Sequence, residues 1–124
     1  MTQAGITFDK QKKAKALKDA KQFAEALALY EDLWLNHTDS RNGWDGWGYA
    51  ACLRKLGRTS EAEAVCREAL KVSPELTALR NELGWCLYEQ HIKARDEELA
   101  NNEQAFLKAA VEITTLTTQD KFSP

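Results

Sequence analysis

At 124 residues, 44% hydrophobic and 29% charged, the chain is one domain's worth of ordinary soluble, globular composition. Its formal net charge of -2 offers no bulk attraction to nucleic acid or membrane, and no apolar run approaches the ~18 residues of a membrane span. The N-terminal stretch MTQAGITFDKQKKAKALKDA lacks an apolar core behind its charges, so it is not expected to act as a secretory signal.

Cysteine usage narrows the class further. Cys52, Cys66 and Cys86 make an odd count with no CxxC spacing, against both a disulfide framework and a zinc site. They are expected to be reduced thiols serving as small apolar residues, which points to the cytoplasm. No metal or other cofactor is expected.

Hydrophobic periodicity predicts helices throughout. Thr7 is expected to cap a first helix over 8–20, followed by a short turn at Lys21-Gln22. Phe23, Ala26, Leu27, Tyr30, Leu33 and Trp34 recur at steps of three and four and form the apolar face of a second helix. The polar stretch HTDSRNG, His37 to Gly43, breaks the pattern and offers several caps. A third helix runs from Trp44 to Leu56 and stops at Gly57. Thr59 or Ser60 caps a fourth, with Glu63 placed to complete a capping box on Ser60.

Pro74 is expected in the first turn of a fifth helix, with Leu76, Leu79, Leu83, Cys86 and Leu87 on one side and an end near Gln90. The charged stretch Lys93 to Glu98 then leads to a sixth helix, with Leu99, Phe106, Ala109, Ala110, Ile113 and Leu116 as its apolar positions. Thr114 to Thr118 form helix poorly, so fraying is expected there.

Self-comparison at offsets of 36 and then 34 brings Ala14, Ala50 and Gly84 into register, and likewise Leu17, Leu53 and Leu87. Ala26 matches Ala62, and Leu33 matches Ala69. Small residues recurring at such a period indicate stacked helix pairs. The middle stretch WDGWGYAACLRKLGRTSEAEAVCREALKVSP resembles a tetratricopeptide repeat through Trp47, Ala50, Leu53, Gly57, Ala62, Ala69 and Pro74. A degenerate earlier unit shares Ala14, Leu17, Phe23, Ala26 and Tyr30, with Lys21 where the family's turn glycine stands. A third resembles the family through Leu83, Gly84, Leu87 and Tyr88.

The resemblance implies an all-α, right-handed superhelix of about three helical hairpins, with units at 8–40, 43–76 and 77–118 of a single domain. It also implies that the first helix of each pair lines a concave groove where a peptide or protein is held. The groove stripe falls on Phe8, Gln11, Lys15, Lys18 and Asp19, then on Trp44, Trp47, Ala51, Arg54 and Lys55, then on Ala78, Asn81, Trp85, Tyr88 and Glu89. The expected partner-binding residues are Trp44, Trp47, Arg54, Lys55, Asn81, Trp85, Tyr88 and Lys15, because aromatics and Arg anchor interfaces. Core packing is the alternative for any one tryptophan, Trp47 above all.

A family subclass grips a C-terminal carboxylate through Lys and Asn. Gly48 and Ala51 offer no donor at the corresponding places and Glu82 repels, which argues against that function. Gly46 and Gly48 each cost roughly 1 kcal/mol relative to Ala in a helix. They imply close approach of a neighbouring helix or ligand backbone, or tight packing against Trp34.

Catalysis is not expected. His37 and His91 have no Cys or Ser partner at motif spacing, and GWDGWG lies where a helix is expected rather than after a strand. Nucleic-acid binding is the rival to protein binding, disfavoured by the net charge and the lack of a continuous basic stripe. A basic first helix (Lys10, Lys12, Lys13, Lys15, Lys18, Lys21) and an acidic end (Asp96, Glu97, Glu98, Glu103, Glu112, Asp120) leave self-association open.

Overall fold

The computed structural model describes residues 3–122, with side chains over 5–115. All regular structure among the described residues is helical: α1 (Gln3–Asp19), α2 (Phe23–Asn36), α3 (Gly43–Lys55), α4 (Thr59–Val72) and α5 (Thr77–Phe122). The chain divides into two compact units, Met1–Gln90 and His91–Pro124. The first holds α1 to α4 and the opening of α5; the second is the remainder of α5.

In the first unit, α1 packs on α2 and touches α3, α2 packs on α3, and α3 packs on α4. The core is built from residues that recur along the sequence. Ala14 and Ala50 are fully buried, as are Ala26 and Ala62 one helix later in each pair. Leu33, Leu53, Leu79, Cys66 and Cys86 fill the space between helices. Small side chains let the helix axes approach, and the branched leucines occupy the gaps that remain.

The two glycines of α3 extend that logic. A Cβ at Gly46 would lie 2.5 Å from the Ala69 Cβ and 3.1 Å from the Trp34 ring. At Gly48 it would lie 2.3 Å from the Tyr30 ring. Trp34 is therefore the neighbour at Gly46, as expected, whereas Tyr30 occupies that role at Gly48. α3 needs both glycines because it is wedged between α2 and α4.

Both inter-helix turns of the first two pairs use one device. Lys21 has φ 63° and Gly57 has φ 84°. In each, the next residue donates its N–H five residues back, Gln22 to the Leu17 carbonyl at 2.9 Å and Arg58 to the Leu53 carbonyl at 2.8 Å. These are Schellman closures, which satisfy carbonyls left open at a helix end.

Several helix ends differ from expectation. Thr7 does not cap α1, which begins at Gln3 and buries Thr7 within it. The Ser60–Glu63 capping box does not form. Arg58 is the N-cap of α4 without a side-chain cap, and Glu63 accepts from Arg67 and Gln90 instead. Pro74 lies in a turn ahead of α5, where its carbonyl accepts from Arg80 at 2.7 Å. Asn42 supplies the one cap that forms as the polar stretch suggested, accepting from the Asp45 N–H at 3.1 Å.

The largest difference is α5. Neither the expected end near Gln90 nor a separate sixth helix exists; a single helix runs from Thr77 to Phe122. Lys93 to Glu98 contains no Gly or Pro, and its residues are mostly sound helix formers, so nothing local stops propagation. The second hairpin helix of the 77–118 unit is thus absent as a separate element. In the first helix of that unit, a Cβ on Gly84 would meet nothing within 4 Å, and Leu87 is exposed.

The threonines do not interrupt the helix either. Thr114 and Thr115 donate their hydroxyls to the carbonyls of Ala110 and Val111, both at 2.9 Å, absorbing their polarity within the helix. Leu116 and Asp120 have side chains outside the described residues. In the second unit Leu99, Phe106, Leu107, Val111 and Ile113 are all more than half exposed.

Candidate functional site

Two concavities in the first unit gather most of the expected binding residues. The more enclosed has a volume of about 440 Å³ and is lined by Gln11 and Lys15 of α1, Tyr30 of α2, Asn42, and Trp44, Asp45 and Trp47 of α3. A shallower one of about 520 Å³ lies on α5, lined by Arg80, Asn81, Gly84, Trp85 and Tyr88.

Three aromatics build the first cavity. Trp44 is 55% exposed, and its ring meets Trp47 edge to face at 5.4 Å between centroids. Trp47 is half-buried against the core, as expected of the more packed of the pair, and the Lys18 ammonium sits 4.1 Å from its ring centroid. Tyr30 forms the floor and is buried; loss of solvent pushes its phenol pKa up, so the hydroxyl stays neutral.

Asp45 is the polar member that sequence reasoning missed. It is 4% exposed, and its carboxylate accepts from the Gln11 amide, at 2.9 and 3.1 Å, and from the Asn42 backbone N–H. Burial is the main cause of a raised pKa, opposed by the Gln11 bond and by the Asn42 contact. The available signal was the Asn42-x-x-Asp45 spacing, which marks a helix start with its acid at the third position. What the spacing did not show is that Gln11, 34 residues away, takes up the acid and so ties α1 to α3.

In the second concavity, Trp85 is 54% exposed and meets Tyr88 edge to face at 6.0 Å. Asn81 is exposed beside them. Lys15 lines the first cavity, with its ammonium held by Asp19 at 2.9 Å.

Arg54 is not a free groove residue. It donates through Nε to Glu82, which is 6% exposed, and through Nη1 to Glu89 at 2.8 Å. Its guanidinium also lies 5.9 Å from the Trp85 ring centroid. A buried carboxylate demands a cation, so Arg54 is committed to fastening α3 to α5. Glu82, placed by resemblance where it would repel a carboxylate, is instead half of that internal pair. Ala51 is buried rather than facing the groove, and Lys55 is exposed but lines neither concavity.

The thiols are poor nucleophiles. Burial pushes Cys52 and Cys86 up to about 11 and Cys66 to about 12. Among the described residues no helix is long and apolar enough to cross a membrane. No family model, curated protein or solved structure matches this chain.

Proposed function

We propose that the chain is a non-catalytic, tetratricopeptide-like binding module that holds a protein or peptide against the first-helix face of its hairpins. The observation that carries this reading is the exposure of Trp44 and Trp85, large aromatics at the rims of two concavities in the same compact unit. Exposed tryptophan beside a concavity is costly in water and typical of interface anchors. The repeated burial of Ala14 with Ala50 and Ala26 with Ala62, and the repeated turn at Lys21 and Gly57, support helical pairs stacked in a right-handed superhelix.

Affinity capture with the wild type beside Trp44→Ala and Trp85→Ala tests the proposal. A partner retained by the wild type and lost from variants of unchanged helicity is the expected result. Equal capture by all three sinks the reading. A steep loss of capture with salt would favour nucleic acid as the partner instead.

Self-association is a second reading, favoured by the second unit. Leu99, Phe106 and Ile113 fall at seven-residue steps on one helix, and all are more than half exposed. That spacing makes a seam for another helix, a second copy of this chain. Sedimentation over a range of concentrations tests it: a dimer at high concentration is expected, and a strict monomer throughout excludes it.

A further inference from the structure

The cavity between α1, α2 and α3 contains an electrostatic imbalance. Asp45 is buried, and among the described residues no salt bridge reaches it; its hydrogen bonds come from neutral donors, the Gln11 amide and the Asn42 backbone N–H, with His37 acting on its charge from nearby. A carboxylate has room for about four hydrogen bonds, and burying one without a cation costs free energy. The N-terminal turn of α3 offsets this with about half a unit of positive charge. Three lysines of α1 are engaged elsewhere: Lys15 with Asp19 at 2.9 Å, Lys18 over the Trp47 ring at 4.1 Å, and Lys10 with Asp32.

Around this acid stand three aromatic rings: Tyr30 as floor, Trp44 at the rim, and Trp47 set at 88° to Trp44. Lys18 demonstrates that the Trp47 π-face holds an ammonium in this setting. Aromatic rings lining a concavity with a buried carboxylate suit a cation that has lost its water, and Lys15 at the same lining is already neutralised by Asp19.

We propose that this cavity binds a cationic side chain, arginine or lysine, of the partner, with its charge balanced by Asp45 and its alkyl stem and cationic head against Trp44 and Trp47. The proposal rests on the binding-module reading and adds the chemistry that the pocket selects. It makes the first concavity the specificity site and leaves the Trp85–Tyr88 concavity, which Arg80 also lines and no carboxylate does, as an aromatic contact without that preference.

The test uses the full chain and small probes, so it needs no knowledge of the partner. Titrate N-acetyl-arginine amide, N-acetyl-lysine amide and the neutral isostere N-acetyl-citrulline amide, following the indole N–H signals by two-dimensional NMR. Both cations should shift the Trp44 and Trp47 signals and leave Trp85 unmoved, with citrulline about tenfold weaker. Asp45→Asn, matched in shape, should abolish the preference for cations. Trp44→Ala, altering a half-exposed ring, should weaken the arginine response at Trp47.

Equal shifts from arginine and citrulline, a preference intact in Asp45→Asn, or no shift at Trp44 and Trp47 would each overturn the proposal. If cation preference fails while partner capture still depends on Trp44, only the pocket's chemistry is wrong. If cation preference holds but no partner capture depends on Trp44 or Trp85, the binding-module reading fails on its own.

Discussion

Lys21 and Gly57 occupy the same left-handed backbone position, 36 residues apart, each closing the first helix of a pair. Glycine reaches that region without steric cost, whereas a side chain with a Cβ is strained there. Lys21→Gly is therefore expected to stabilise the fold by about 0.5–1 kcal/mol. Chemical denaturation of the two proteins measures it, and a destabilised Lys21→Gly would show that the lysine side chain contributes more than its strain costs.

Gly48 carries the opposite expectation. A methyl group there would stand 2.3 Å from the Tyr30 ring, on the buried side of α3. The helix-propensity gain of Ala over Gly is about 1 kcal/mol, and overpacking costs typically 1–3 kcal/mol. Gly48→Ala should destabilise on balance and disturb the cavity floor, seen as a lower melting temperature and shifted Trp44 and Trp47 indole signals. Unchanged stability and spectra would mean that Tyr30 moves aside freely.

Arg54 separates a stability role from a binding role. Removing it leaves Glu82 buried without its cation, so Arg54→Ala should cost about 3 kcal/mol. The double variant Arg54→Met with Glu82→Leu should recover most of that loss, because an apolar pair has no charge to desolvate. If Arg54→Ala unfolds at the same denaturant concentration as the wild type but loses a partner, Arg54 faces the groove after all.

Asp32 gives a pH dependence of known sign. Bonds from Asn36 first, then Lys10, hold its pKa at about 2, below the ordinary 3.8. A carboxyl with a depressed folded pKa contributes stability that is fully present above its ordinary value. That contribution is lost as pH falls from near 4 towards 2. Asp32→Asn should flatten the stability profile across that window. A wild-type profile with the same slope there as Asp32→Asn would contradict the pairing.

Asp45 runs the other way. Its folded pKa is raised by burial, so folding prefers the protonated form and a penalty develops as pH rises through the ordinary carboxylate range. Asp45→Asn should gain stability relative to the wild type at pH 7 compared with pH 3. A constant difference between the two proteins at both pH values would show that Asp45 is ionised at no net cost.

Much of the architecture follows from the amino-acid order alone. The small residues at 14, 26, 50 and 62, the apolar faces of α2 and α4, and the turns at Lys21 and Gly57 are short-range features, each legible within a few helical turns. The family resemblance set Trp44 and Trp85 on a groove stripe with core packing as the alternative for each, and it took the packed structure to show both rings exposed. Tertiary structure alone decided which polar groups meet. Arg54 finds Glu82 and Glu89 across 28 and 35 residues, and Gln11 finds Asp45 across 34, through helix packing that no local periodicity encodes. The length of α5 was decided by the absence of any residue able to stop it. A repeat pattern suggested a break, but helix propagation ends only where a backbone conformation or a missing N–H makes the next turn unfavourable.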